Sequence, residues 1–360
     1  MTATRAGQVL VTSRSFSSGS RDLLGELHAA GLTVVRGPAD HRLDALRPLL
    51  AGTVGWIAGT GPVTEAHLAA APRLAVLARY GVGVDAVDLA AAAERGVVVT
   101  NTPGANTEAV ADLTVGLLLA ALRGIPAGDR RVRAGDWTTT VRGRELGSSV
   151  VGIVGYGRIG QAVARRLRGF GARVLACDPL LDDRVVRAGG AEPADLAELP
   201  ARCTAVSLHA PGGRRLVDPE WLAAGRDGLV LVNTARADLV DESAVAAALR
   251  GGRLAGYAAD TLGTESAGGT SPLLAEDLAD RVVLTPHLGA QTVEAVDRMG
   301  SLAVADLLAV LDGAPPSHPV LDGAPPSHPV RASAPPTRPG GPDVADGPAE
   351  GPTDPAAEWR

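Results

Sequence analysis

The stretch SVVGIVGYGRIGQAVARRLRGFGARVLACD, residues 149–178, decides the fold, because it holds in order what a strand, a glycine turn, a helix and a second strand need to grip a dinucleotide. Val150, Val151, Ile153 and Val154 form a short apolar run suited to a strand buried on both faces of a parallel sheet. Gly155 permits the bend, Gly157 gives a pyrophosphate room at the backbone, and Gly160 lets the helix lie close to the strand. Arg158 and Ile159 open that helix, whose amino end carries unpaired N–H groups and a partial positive charge. Ile159, Val163, Leu167 and Phe170 recur at helical spacing and give it a buried face. The second strand, Arg173 to Cys177, ends at Asp178, where a carboxylate can accept from a ribose diol and repel a 2′-phosphate, favouring NAD over NADP. A glycine-rich loop alone is a weak sign; strand before, helix after and acid at this distance make it specific.

Over its 360 residues the composition is that of a globular chain long enough for two domains, with 46% apolar residues. A formal net charge of −6 argues against a nucleic-acid binder held by a broad basic surface. All 34 basic residues are Arg, and aromatics make up only 2%, which says more about coding bias than about function. Cys177 and Cys203, each inside an apolar strand-like run, read as buried free thiols with no disulfide and no metal site. The start MTATRAGQVLV lacks the apolar core of a signal peptide, and the apolar stretch 109–122 is too short to span a membrane, so a cytoplasmic location is expected.

In chain order, QVLVT, LTVVR, TVGWIA, LAVLARY and GVVV alternate with Ala/Leu-rich helical patterns up to Val99, which reads as an α/β domain with a parallel sheet. The hinge falls near Asn101 to Gly104. Asn106 is placed to cap a long helix through Val110, Val115, Leu118 and Leu122. Beyond the glycine unit, strands are expected at Thr204–Leu208, Gly228–Val232, Leu254–Ala259 and Val282–Leu284, in a doubly wound sheet. A helix from Gln291 to Leu311 would cross back to the first domain. The division is therefore 1–103 plus 288–318 for one domain and 104–287 for the dinucleotide domain. LDGAPPSHPV occurs at 311–320 and again at 321–330, and Pro, Gly and Ala dominate onward, so 319–360 reads as a disordered tail.

Arg236, Glu265 and His287 stand where strands or loops of the second domain end, the edge at which open α/β sheets place ligands. Arg236 offers a fork of donors to a carboxylate, and His287 can exchange a proton with a reacting oxygen. Glu265 would favour the imidazolium if the fold brings it to His287. Each alone reads as an ordinary loop residue.

Together they carry a resemblance. The chain resembles the D-isomer-specific 2-hydroxyacid dehydrogenases, most closely their phosphoglycerate-dehydrogenase-like branch, from about Val9 to Val320. The motifs are ARYGVGVDAVDLAAA, NTPGANTEAVAD, GRELGSSVVGIVGYGRIG, VSLHAP, LVNTARADLVDESAV and LTPHLGA, in family order. The resemblance implies an α/β protein of two Rossmann-like domains, with doubly wound parallel sheets and a cleft between them, in a homodimer packed through the helix after the hinge. It implies NAD as cofactor and a small 2-oxo or 2-hydroxy acid as substrate. By position, Arg236 would bind the substrate carboxylate, His287 would be the acid/base, and Glu265 would hold His287. Val82 and Gly83 would offer backbone N–H groups to the substrate. Gly155, Gly157, Arg158, Ile159 and Gly160 match the pyrophosphate turn, and Asp178 the ribose acid. Thr234 and Ala235 match the nicotinamide-ribose loop, Asp260 the carboxamide partner, and Gly289 the turn over the nicotinamide.

The chain departs from the family pattern at three places. Asp260 is followed by Thr261 and Leu262, and Glu265 by Ser266, where the family usually reads Asp-Val-Phe and Glu-Pro. PGGRR replaces the usual Pro-Leu-Thr loop after His209. Arg236 is followed by Ala237 and Asp238, which adds an acid near the cleft. The stretch WIAGTGPVT lacks the Arg that phosphoglycerate enzymes carry after the third strand; Arg14 and Arg79 lie near other strand ends. Glu265 argues against a formate dehydrogenase, and the absence of Lys against a phosphite dehydrogenase. The rival reading is a non-catalytic, NAD(H)-sensing binding protein of the same fold, like the C-terminal-binding-protein corepressors.

Overall fold

A computed structural model describes residues 7–138, 142–264 and 270–320. Glu265 therefore lies outside the described residues, as does the tail from 321 onward.

The first half of the chain alternates short apolar runs with helical segments, and parallel strands follow. β1 (Gly7–Val11), α1 (Leu23–Ala29), β2 (Leu32–Arg36), α2 (Leu43–Leu50), β3 (Thr53–Ala58), α3 (Glu65–Ala69), β4 (Val76–Arg79), α4 (Leu89–Glu94) and β5 (Val98–Thr100) build a five-stranded sheet in the order β2-β1-β3-β4-β5. Its two faces are covered separately. α1 packs on one with Leu23 and Leu27, and α2, α3 and α4 on the other with Leu46, Leu50, Leu68 and Ala92. Burial of both faces is why these strands read as unbroken apolar runs rather than alternating ones.

The chain then leaves this sheet through Asn101–Asn106 and enters α5 (Thr107–Arg123), followed after the left-handed Gly124 by α6 (Ile125–Arg133). Asn106 stands at the N-cap position, but its side chain makes no cap bond and its buried Oδ1 has no partner among the described residues. No single described helix is long and apolar enough to cross a membrane; α5 and α6 reach that length only together, bent by 62°.

β6 (Val150–Val154), α7 (Arg158–Gly169), β7 (Arg173–Cys177), α8 (Asp183–Ala188), β8 (Glu192–Pro193), α9 (Leu199–Arg202), β9 (Ala205–Leu208), α10 (Pro219–Ala223), β10 (Leu229–Asn233), α11 (Glu242–Arg250), β11 (Leu254–Ala259) and β12 (Val282–Leu284) form the second sheet. Its order is β12-β11-β10-β9-β6-β7-β8, all parallel. α5 and α7 cover one face and α10 and α11 the other. The order reverses between β6 and β9, so a crevice opens above the carboxyl end of β6, where ligands of such sheets bind.

After β12 the chain returns. α12 (Val293–Leu311), its amino end capped by Thr292, buries Met299, Ala303, Val304 and Leu307 against the first sheet and α1. Pro319 and Val320, assigned to the tail from composition, extend that sheet. Thr100 and Pro319 form an antiparallel bridge, and the Val320 N–H donates to Val99 O at 2.8 Å. Buried Asp306 of α12 fastens this strap, accepting from Ser317 N at 2.7 Å and facing His318 Nδ1 at 2.9 Å.

Candidate active site

Register sets the glycine turn. Val154 pairs with Cys177 on one side and Leu208 on the other, so Gly155 emerges between Asp178 and His209. Gly155 takes φ +88°, and a Cβ there would stand 2.7 Å from Ala210 N. A Cβ on Gly160 would stand 2.2 Å from Gly155 O. These two glycines serve the fold. Gly157 differs: its φ is −71° and a Cβ would meet nothing within 4 Å, so the space before α7 is open. The first-turn N–H groups of α7, which no helical carbonyl can reach, face that space.

Asp178 closes the other side. Its Oδ2 accepts from Tyr156 N at 2.8 Å and its Oδ1 from Leu180 N at 3.0 Å, which fixes the half-buried carboxylate beside the turn. An open cradle at a helix amino end with a fixed acid beside it fits the pyrophosphate and ribose of a dinucleotide.

The other polar residues rise from the next strand ends. Fully buried Asn233, last in β10, shapes the loop after it: its Oδ1 accepts from Ala235 N at 3.1 Å and its Nδ2 donates to Arg236 O at 2.8 Å. The Thr114 hydroxyl donates to Val110 O, so in its 2.8 Å contact with Thr234 the Thr234 hydroxyl is the donor. The lone pairs of the Thr234 oxygen thus remain available to accept.

Asp260, just past β11 and 2% exposed, spends its carboxylate on one loop. Oδ1 accepts from the Thr285 hydroxyl and from Leu288 N at 2.7 Å, and Oδ2 from Gly289 N at 2.7 Å. His287 sits inside that loop with φ +55°, a left-handed backbone that costs a non-glycine residue about 1 kcal/mol or more. Its N–H donates to Asp260 O at 3.1 Å. The half-buried imidazole is thereby held at the carboxyl edge, two strands from Arg236 or roughly 10 Å by strand spacing.

Arg236 reaches across to the first sheet's side. Its Nε donates to Asp85 Oδ2 at 2.8 Å and its Nη1 to Ala235 O at 2.9 Å. Its Nη2 lies so close to Gly83 that a Cβ there would stand 1.7 Å away. The amide N–H groups of Val82 and Gly83 bond to nothing among the described residues. Arg79, buried below the same loop, donates to Tyr80 O at 2.6 Å. Burial, then the nearby Arg236, pulls its pKa down to about 10, still cationic at neutral pH. The structure thus brings Val82, Gly83 and Arg236 together, sets Asp260, His287 and Gly289 in one bonded loop, and gathers Gly155, Gly157, Gly160 and Asp178 at the crevice.

Sequence reasoning passed over Asp85 and Asn233. Asp85 is 151 residues from Arg236 in the chain, and only the fold joins them. The sequence signal for Asn233 is a polar residue that ends the apolar run Leu229–Val232.

Residues 115–289 match the family "D-isomer specific 2-hydroxyacid dehydrogenase, NAD binding domain". The chain is 44% identical over 250 residues to the D-3-phosphoglycerate dehydrogenase of Mycobacterium tuberculosis, a match covering 68% of this chain and 47% of that one. It spans about half the length of the curated phosphoglycerate dehydrogenases it matches. It is 39% identical over 256 residues to a glyoxylate reductase of Thermofilum pendens, covering 69% of this chain and 75% of the relative. A crystal structure of a Thermus thermophilus protein superposes with a TM-score of 0.77 at 38% identity, covering 87% of this chain and all of that one. With the sheet order, the glycine cradle and these likenesses in agreement, the chain belongs to the D-isomer specific 2-hydroxyacid dehydrogenase family, and 115–289 is its NAD-binding region.

Proposed function

We propose that the protein is an NAD-dependent oxidoreductase that interconverts a small 2-hydroxy acid and the matching 2-oxo acid. The observation that carries this reading is the guanidinium of Arg236 lodged against Gly83, with the unpaired amides of Val82 and Gly83 beside it. A fork of donors and two amides at one spot suit a carboxylate. Arg236 holds that carboxylate and polarises the neighbouring carbonyl. His287 gives a proton to the carbonyl oxygen in reduction and takes one from the hydroxyl in oxidation. Glu265 orients the imidazole. Bound NAD(H) supplies or accepts the hydride. Gly155, Gly157, Arg158, Ile159 and Gly160 hold its pyrophosphate and Asp178 its ribose; Thr234, Ala235, Asp260 and Gly289 line the nicotinamide end.

Arg79 extends the reading to the substrate. Two guanidinium groups flank Gly81–Gly83, which favours an acid bearing a second anionic group. The curated relatives are named for phosphoglycerate and for glyoxylate, acids of both kinds.

We further propose a substrate-binding domain of 1–103 plus 288–318 and an NAD domain of 104–287, in a homodimer and in the cytoplasm. Exposed Ile125, Val132 and Trp137 on and after α6 support the dimer, and the free thiols of Cys177 and Cys203 a reducing compartment.

Arg236→Ala tests the assignment. Turnover falls about a hundredfold or more while NADH affinity, read by fluorescence titration, stays within about twofold. Loss of NADH binding instead assigns Arg236 to the fold and removes the reading.

A further inference from the structure

Asp85 belongs to the loop between β4 and α4, and that loop is braced on every side. Val63 N donates to Ala86 O at 2.7 Å, Asp88 N to Val63 O at 2.8 Å, Thr102 N to Gly81 O at 3.0 Å, and Asn101 Nδ2 to Val82 O at 2.8 Å. Such bracing fixes the backbone that carries Asp85, while its side chain stays exposed. Among the described residues, the side chain it bonds is that of Arg236, from the far side of the cleft, at 2.8 Å. A Cβ on Gly83 would stand 2.9 Å from Asp85 Oδ2 and 1.7 Å from Arg236 Nη2, so carboxylate, glycine and guanidinium are stacked without a gap.

We propose that Asp85 is a positioning residue: it holds Arg236 by Nε, turns the Nη edge toward the substrate carboxylate, and by its charge restrains affinity for anionic substrates. The inference rests on the role given to Arg236 above. Of the five N–H bonds of Arg236, Asp85 engages that of Nε and Ala235 O one on Nη1. Both bonds of Nη2 and one of Nη1 remain for the substrate, and Nη2 lies against Gly83. An Arg free to turn about its last bonds would offer the wrong pair of donors much of the time, and geometry errors of this kind are costly in rate. The same carboxylate opposes any arriving anion. The charged groups facing it are Arg236 and Arg79, both cationic; Asp238 lies instead against Gly212, where its Oδ2 accepts from Gly213 N. One negative charge beside two guanidinium groups lowers the positive potential the substrate meets.

The two effects separate in variants. Asp85→Asn keeps an oxygen for Nε and loses the charge; Asp85→Ala loses both. With the 2-oxo acid that the wild type turns over, Asp85→Asn is expected to keep kcat within about threefold while KM for the acid falls severalfold. Asp85→Ala is expected to lose about tenfold or more in kcat. In both, the dissociation constant of NADH stays within about twofold, and oxalate, as a dianionic probe in the presence of NADH, binds Asp85→Asn more tightly than wild type. Equal kcat in wild type and Asp85→Ala overturns the positioning role, and unchanged KM and oxalate affinity in Asp85→Asn overturn the charge role. A parallel fall in melting temperature and NADH affinity, with no split between kcat and KM, makes Asp85 structural and overturns both. A wild type that turns over no 2-oxo acid brings down the assignment of Arg236 itself, a different failure from any of these.

Discussion

Asp260 and His41 show how single buried groups set the behaviour of the loops around the cleft. Asp260 takes three donors from the loop carrying His287, so Asp260→Asn turns an amide N–H₂ toward at least one backbone N–H. The loss is about 1–3 kcal/mol in stability, with kcat down about tenfold or more as the left-handed His287 backbone relaxes. Thermal melting and NADH oxidation check the two halves; unchanged kcat would contradict the holding role. His41 is buried with φ +56°, its Nδ1 within 3.1 Å of Pro62 O and its Nε2 without a partner among the described residues. Burial lowers its pKa from 6.5 to about 4, so the folded protein keeps it neutral while the unfolded chain takes up a proton. Stability from this site is complete above about pH 6.5 and is lost as pH falls toward 4, by about 2 kcal/mol at pH 5. Half-buried His209, lowered by burial to about 3, acts with the same sign. His41→Asn, which tolerates the left-handed backbone, is expected to narrow the gap in melting temperature between pH 7 and pH 5. An unchanged gap would refute it. Motif spacing made Arg236, His287 and Asp178 legible as candidates, because each follows an apolar strand. Spacing does not reveal that Asp260 and Asn233 are spent on shaping loops, since their partners depend on side-chain directions that only the folded chain fixes.

At the scale of elements, the three glycines of the turn divide their labour, and substitution separates them. Gly160→Ala sets a methyl 2.2 Å from Gly155 O and is expected to cost about 1–3 kcal/mol of stability. Gly157→Ala meets open space at an allowed backbone angle, so its melting temperature should stay within about 2 °C of wild type, while NADH affinity falls about tenfold or more. Undiminished NADH binding by Gly157→Ala would mean the cradle is not the pyrophosphate seat. The long apolar runs were legible as strands to within a residue: Arg173–Cys177, Leu254–Ala259 and Val282–Leu284 stand where the pattern places them. Glu192–Pro193 was not legible. It is a two-residue edge strand holding a charge and a proline, and it pairs with Leu175 and Ala176 only because β7 offers a free edge. The short helices Asp183–Ala188 and Leu199–Arg202 likewise lack the length over which periodicity shows.

At the scale of the whole molecule, the chain crosses between its two sheets twice, through Asn101–Asn106 and again between β12 and α12, so the cleft is spanned by two covalent strands and by the Asp85–Arg236 pair. The alternation of strand and helix made two parallel sheets legible, and the helix expected from Gln291 to Leu311 is found at Val293–Leu311, packed on the first sheet. The pairing of Pro319 and Val320 was not legible, because a proline-rich run hides backbone pairing that β5 supplies. A chain ended after Val320 retains that pairing and is expected to keep its melting temperature within about 2 °C and its NADH affinity within about twofold; loss of either would give 321–360 a structural part. The most direct test of the proposed activity is NADH oxidation by the purified protein across small 2-oxo acids, with phosphorylated and dicarboxylic members included. Turnover of at least one acid, abolished by Arg236→Ala and His287→Ala, is the predicted result. Tight NADH binding with no turnover of any acid would contradict it and make the protein a binder of NAD(H) and not a dehydrogenase.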